Sequence, residues 1–129
     1  MEAHSPYQIP NSYKQVSDNV LQSPGNPVGS LDHSEDIDVD AIRMRYGNAV
    51  RYLSVVYRDI FDELRTDYDY VITLADHGEL LGEHGHLGHG SGIYPELTHV
   101  PLSVYSGEDD STRDSSLVSL LDVHRTVLD

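Results

Sequence analysis

Residues 70 to 79 read Tyr-Val-Ile-Thr-Leu-Ala-Asp-His-Gly-Glu, an apolar run that ends abruptly in a carboxylate and an imidazole. The run is rich in β-branched and aromatic side chains, which predicts a buried strand. Asp76 and His77 would then lie at the carboxyl end of that strand, where α/β proteins bind ligands and metals. The sequence therefore predicts an α/β protein with a site at this edge.

The stretch that follows supports the same site. Residues 82 to 90 read Gly-Glu-His-Gly-His-Leu-Gly-His-Gly, in which histidines alternate with glycines. Glycine allows a backbone to approach a ligand closely, and histidine can hold a metal or an anion. We predict a glycine-rich loop that folds over Asp76 and His77. In that loop His84 and His86 are either supporting donors or surface residues, and Glu79 is as much a solvated carboxylate as a functional one.

The remaining chain predicts one long helix and a second strand. Apolar residues recur at helical spacing from Val39 to Leu64, which predicts a helix whose apolar stripe is buried in the core, and the aspartates before them suit a helix start. Residues 100 to 105 predict a strand, and His99 before it is expected to pack with that strand. Residues 1 to 37 are rich in Pro, Ser, Asn and Gly and predict mostly loop, with a short helix near residues 13 to 20.

The end of the chain predicts a truncated domain. Residues 116 to 121 are expected to be extended, and Asp122 to cap a helix that begins at Val123. Two strands and two or three helices cannot cover both faces of a doubly wound sheet. We therefore interpret residues 1 to 129 as part of a larger domain, with the α/β portion over residues 38 to 129.

Composition excludes several classes of partner. The chain has 8 Lys and Arg against 22 Asp and Glu, a net charge of -14, and no cysteine. So few cations argue against nucleic acid or an anionic membrane as partner, and the lack of cysteine excludes disulfides and thiolate ligands. The acidity favours a halophilic origin over an ordinary acidic protein.

No apolar stretch is long enough to span a membrane and no signal peptide opens the chain, which favours the cytoplasm if Met1 is the natural start.

A family resemblance emerges from several motifs together. The run from Asp76 to Gly85, the pair Gly88-His89 and the segment Thr98-His99-Val100-Pro101-Leu102 resemble the sulfatases of the alkaline phosphatase superfamily. The opening His4-Ser5-Pro6-Tyr7 resembles their His-x-Pro-Tyr segment. Residues 122 to 128 resemble a later helix of the family, with His124 in place of proline. The resemblance implies a sulfuric ester hydrolase and a fragment of an alkaline phosphatase-like doubly wound sheet.

The resemblance also implies roles for particular residues. Asp76 and His77 match paired metal ligands, for which the family implies calcium, whereas a carboxylate and an imidazole alone leave Mg²⁺, Mn²⁺ or Zn²⁺ open. His4 matches a histidine that contacts the sulfate group. His89 stands where the family usually has a lysine that binds sulfate and assists the leaving oxygen. His4 and His89 are thus the predicted catalytic and substrate-binding residues.

One family element is absent from the sequence. No Cys/Ser-x-Pro-x-Arg motif, which carries the formylglycine nucleophile in sulfatases, occurs in these residues, and no Asp-Asp pair precedes His4. We expect the amino-terminal part of the domain to be the missing partner, a sulfate-ester small molecule or glycan to be the substrate, and the chain alone to be inactive. The alternatives are a phosphodiesterase or phosphonate monoester hydrolase of the same superfamily, or a non-catalytic divalent-metal binding module.

Overall fold

The computed structural model describes Tyr7 and residues 9–13, 29–30, 37–90, 92–108 and 111–128. His4 lies outside the described residues, as does all but Tyr13 of the predicted short helix at residues 13 to 20. The helices and strands, in chain order, are β1 (Gly29–Ser30), α1 (Val39–Asp67), β2 (Val71–Leu74), β3 (Leu80–Leu81), β4 (His86–Gly88), α2 (Pro95–Thr98), β5 (Leu102–Tyr105) and α3 (Leu120–Leu128).

Helix α1 begins where the aspartates predicted it. The side chain of Asp38 accepts a hydrogen bond from the backbone N–H of Ala41 at 3.0 Å, which satisfies a donor that the first turn leaves unpaired. The predicted apolar stripe is buried only in the first half of the helix. Farther along, Leu53 is 39% and Ile60 49% exposed, so the expectation that the whole stripe is core was wrong for the described residues.

The core is built where the first half of α1 meets two other segments. Its buried members are Tyr7, Ile9, Ile42, Ala49 and Leu87. Residues near the amino terminus and strand β4 therefore cover the same face of α1. Burying these side chains positions the β3–β4 region against the helix, because apolar area removed from water stabilises the contact by about 25 cal/mol per Å².

The two predicted strands are confirmed as β2 and β5, and they pair with each other. The pairing is antiparallel, with Val71 opposite Tyr105 and Leu74 opposite Leu102. The described residues thus form a mixed α/β arrangement with small antiparallel sheets. The doubly wound sheet is not confirmed among them and stays a prediction for the intact domain.

The glycine-rich stretch is more ordered than a loop. It contains β3 and β4, which pair antiparallel with Leu81 opposite Leu87, and β1 pairs with the other edge of β4. Leu80 is fully buried, so apolar side chains within the polar run drive this segment into the fold. The turn between the strands uses Gly82 at φ 104°, a conformation that side chains rarely adopt.

Helix α3 begins earlier than predicted. Ser119 Oγ accepts from the backbone N–H of Leu121 at 3.2 Å, and Asp122 Oδ2 accepts in return from the backbone N–H of Ser119 at 2.9 Å. This reciprocal pair is a capping box, in which Ser119 is the cap and Asp122 lies in the first turn. The expectations that residues 116 to 121 are extended throughout and that Asp122 is the cap were therefore wrong.

None of the helices in the described part of the chain is both long enough and apolar enough to cross a membrane.

Candidate active site

Asp76 and His77 follow directly after β2, at its carboxyl end. Asp76 Oδ1 accepts a hydrogen bond from the backbone N–H of His77 at 3.0 Å, and the Asp76 side chain is 87% exposed. The Nδ1 atom of His77 lies 2.9 Å from the carbonyl oxygen of Gly78. A carbonyl only accepts, so Nδ1 carries the proton in this bond and Nε2 is the nitrogen with a lone pair for a ligand.

His89 lies against His77. The ring centroids are 4.2 Å apart and the planes are inclined by 34°. Nδ1 of His89 is 3.1 Å from Oε1 of Glu79, whose side chain is only 8% exposed. Glu79 is therefore a buried partner of His89 and not a solvated carboxylate, and whether it is functional stays open.

Glu79 has a second partner in Tyr7. The Tyr7 hydroxyl hydrogen-bonds to the Glu79 carboxylate, and burial, followed by the charge of Glu79, raises the pKa of Tyr7 well above its usual value. Tyr7 has a φ of 56° and packs edge-on against Tyr46 of α1, with ring centroids 5.5 Å apart. The site is thus tied to the long helix through a tyrosine held in an uncommon backbone conformation.

A second histidine cluster holds helix α2 beside the strand end. The His84 ring stacks on Tyr94 with centroids 4.2 Å apart, and His84 Nε2 lies 3.2 Å from Glu96 Oε2. The pKa of Glu96 is lowered by hydrogen bonds from its own backbone N–H and then from His84. His86 lies beside Tyr94. We assign these residues to positioning the segment around α2.

Gly78 makes the approach of α2 possible. Its backbone N–H donates to the carbonyl of Leu97 at 2.9 Å, and a Cβ at this position would overlap the carbonyl oxygen of Glu96. Only glycine fits here, because the backbone of α2 occupies the space that any side chain would need.

An open cleft of about 900 Å³ lies over the strand end. Asp76, His77 and His89 all line it, together with His99 and the apolar residues 117 and 118. His99 is exposed to the cleft, so the expectation that it packs with the following strand was wrong. The structure brings three of the four predicted site residues together, and the fourth, His4, lies outside the described residues.

Sequence reasoning missed the contributions of Tyr7, Glu79 and His99. The sequence did contain signals for two of them, because Tyr7 belongs to the segment that resembles His-x-Pro-Tyr and Glu79 follows the predicted ligands Asp76 and His77. Their contacts were not predictable, because Glu79 meets His89 across the β3–β4 turn and Tyr7 meets Glu79 across the core.

The residues present fit one part of a metal site. Asp76 Oδ2 and His77 Nε2 lie 3.9 Å apart, which is less than two metal-ligand bonds of about 2.0 to 2.6 Å laid end to end. One cation could therefore contact both atoms. Within the described residues no group of three His, Asp or Glu side chains could hold a metal, so any complete site needs further ligands.

Comparison with known proteins identifies the family. The sulfatase family model matches residues 1–129, the whole chain. The chain therefore belongs to the sulfatase family. It is also 30% identical over 59 residues to the uncharacterized sulfatase YidJ of Escherichia coli (strain K12), an alignment that covers 46% of this chain and 12% of that relative. No solved structure matches the chain.

The family match confirms the sulfatase family that the sequence predicted. The family suggests a hydrolase acting on sulfate esters, and sulfatases generally use a divalent metal. The roles predicted for Asp76, His77, His89 and His4 remain predictions, as do the identity of the metal, the substrate and the halophilic origin.

Proposed function

We propose that the intact protein hydrolyses a sulfate ester, on a small molecule or a glycan, with the help of a divalent cation. The observation that supports this most is the convergence of Asp76, His77 and His89 on one cleft at the end of β2. A carboxylate and an imidazole suit a cation, and a second imidazole beside them suits an anion. A sulfate group needs both kinds of contact.

Asp76 Oδ2 and His77 Nε2 would hold the cation, which the family implies is calcium, and the bound cation would supply Lewis-acid stabilisation to the sulfate group. The hydrogen bond from His77 Nδ1 to Gly78 O fixes the ring so that Nε2 is the coordinating atom. The peptide N–H of His77 holds Asp76 Oδ1, which leaves Oδ2 as the ligand oxygen.

His89 would bind the sulfate oxygens and donate a proton to the leaving oxygen. His4 would contact the same group by its match to the family motif. The nucleophile would come from residues outside this sequence, because no Cys/Ser-x-Pro-x-Arg motif occurs within it.

The experiment compares the intact protein with the 129-residue chain on p-nitrophenyl sulfate, p-nitrophenyl phosphate and bis-p-nitrophenyl phosphate. We expect the intact protein to prefer the sulfate ester, to lose turnover in a chelator, and to lose at least about 10²-fold in kcat on Asp76→Asn substitution. Asp62→Asn on exposed α1 is the matched control and should keep full activity. The 129-residue chain alone should show no turnover of any of the three esters.

The other outcomes separate the alternatives. Preference for the phosphodiester would indicate a phosphodiesterase or phosphonate hydrolase of the same superfamily. Metal binding without turnover of any ester by the intact protein would indicate a non-catalytic metal-binding module and overturn the proposal.

A further inference from the structure

The Glu79 carboxylate is nine-tenths buried and accepts hydrogen bonds from two side chains, Tyr7 and His89. A buried carboxylate is costly unless its oxygens are paired, so this arrangement is stable only while both partners stay in place. His89 lies opposite Glu79 at the end of the β3–β4 hairpin, next to the paired residues Leu80 and Gly88, whereas Tyr7 lies in the core beside α1. The carboxylate therefore joins two separate parts of the fold.

We infer that Glu79 is a positioning residue that holds the His89 imidazole with its Nδ1–H toward the carboxylate, so that Nε2 meets the sulfate group and carries the donated proton when the ring is protonated at both nitrogens. The inference rests on the proposed function only where it states that Nε2 contacts a sulfate group. The orientation itself follows from the 3.1 Å contact between His89 Nδ1 and Glu79 Oε1, since a carboxylate accepts and the ring nitrogen must donate.

The surroundings keep Glu79 in this role. Leu80, the next residue, is fully buried in β3 and fixes the backbone that carries the carboxylate. Tyr7 hydrogen-bonds to the same carboxylate, and its ring is itself packed edge-on against Tyr46. This packing fixes the position of the Tyr7 hydroxyl beside Glu79. The contacts of Tyr7 help to offset the cost of its uncommon φ of 56°.

Fixing the ring matters for catalysis because a histidine offers two different nitrogens. With Nδ1 bound to Glu79, the ring is also held against His77, 4.2 Å away between centroids. The sulfate-facing nitrogen is then set at a constant distance from the residues that would hold the cation. A carboxylate that selects the tautomer of a catalytic histidine is a general device in enzymes, and its loss costs rate rather than folding.

The direct test is the tautomer of His89. Long-range ¹H–¹⁵N correlation spectra of the ¹⁵N-labelled protein, recorded at alkaline pH where imidazoles are neutral, distinguish a proton on Nδ1 from one on Nε2. We expect the Nδ1–H form at His89. Glu79→Met, which keeps length and suits a buried position, should lower the ratio of the Nδ1–H to the Nε2–H form about fivefold, the equilibrium effect of one hydrogen bond.

Two further variants make the test specific. Tyr7→Phe keeps the aromatic ring but removes the hydroxyl that hydrogen-bonds to Glu79. It should also lower the ratio of the Nδ1–H to the Nε2–H form of His89, by a smaller factor than Glu79→Met. Glu96→Gln is the matched control, because Glu96 pairs with a different histidine, His84, and should leave the His89 spectrum unchanged. An Nε2–H tautomer in the unsubstituted protein would overturn the inference, even if Glu79→Met did not fold.

Activity separates this inference from the proposed function. In the intact enzyme Glu79→Met should lower kcat on p-nitrophenyl sulfate about 10²-fold with a smaller change in KM, as loss of an oriented proton donor predicts. The expected tautomer without sulfatase activity would support the positioning role and refute the proposed function. Sulfatase activity with an unchanged kcat in Glu79→Met would refute the positioning role alone.

Discussion

The imidazole rings of His77 and His89 are in tilted contact, with centroids 4.2 Å apart and planes inclined by 34°. His77 lies in the segment after β2 and His89 directly follows β4, so this contact joins the two small sheets at one point. Each ring is oriented by a different acceptor, the Gly78 carbonyl for His77 and the Glu79 carboxylate for His89. The proposed function predicts that His77 holds a cation and His89 an anion side by side.

Metal binding should depend on both residues at the end of β2. Asp76→Asn and His77→Ala should each weaken Ca²⁺ or Mn²⁺ binding to the intact protein at least about tenfold, or about 1.4 kcal/mol, because each removes one ligand atom. Calorimetric titration measures the affinity. His84→Ala is the control, since His84 does not line the cleft, and an equal loss in that variant would contradict the assignment.

Gly78→Ala should be strongly destabilising. The added Cβ would overlap the carbonyl oxygen of Glu96, which is backbone and cannot rotate away. The free energy of unfolding should fall by about 2 kcal/mol or more. The comparison is Gly47→Ala within α1, where a Cβ meets nothing within 4 Å, and which should stabilise by about 0.5 to 1 kcal/mol. Urea unfolding of both variants checks the opposite signs.

Glu83 should contribute to stability in a pH-dependent way. Burial alone would raise the pKa of Glu83, but the hydrogen bond from the backbone N–H of Leu81 at 2.5 Å and the ion pair with Arg43 at 3.2 Å outweigh it and lower the pKa below the usual 4.5. A carboxylate with a lowered folded-state pKa stabilises the fold above its unfolded-state pKa, and that contribution is lost as pH falls through the folded-state value.

The variant Glu83→Gln tests this contribution. At pH 7 it should lower the free energy of unfolding by about 1 kcal/mol, and the difference from the unsubstituted protein should shrink as the pH falls below 4.5. Urea unfolding between pH 7 and pH 3 gives both values. A difference that stays constant over this range would show that the charge of Glu83 does not contribute.

Salt should raise the thermal stability of the protein. A net charge of -14 on 129 residues creates repulsion that is screened over about 10 Å at 0.1 M salt and about 3 Å at 1 M. The midpoint of thermal unfolding should therefore rise from dilute buffer to molar KCl. A flat or falling midpoint would remove the interpretation that the protein comes from a halophile.

The elements that the sequence predicted well are those coded by short-range patterns. The apolar run from Val71 to Leu74 and the helical spacing after Asp38 each reflect a constraint within a few residues. The strand, the helix start and the position of Asp76 and His77 at a strand end could therefore all be inferred. The start of α3 was missed because Ser119 and Asp122 cap each other, and the sequence pattern allowed either residue as the cap.

The sequence by itself therefore determined the strand end, the place of Asp76 and His77 at it, and the family to which they point, while their role as metal ligands stays a prediction. Only the tertiary structure decided that Glu79 is buried, that Tyr7 and His89 share its carboxylate, and that His99 faces the cleft. The reason is physical. Periodicity and capping record which side of an element is buried. The contact of Glu79 with His89 depends instead on the register of the β3–β4 hairpin, and its contact with Tyr7 depends on packing between segments far apart in the chain. Neither leaves a local pattern in the residues that make it.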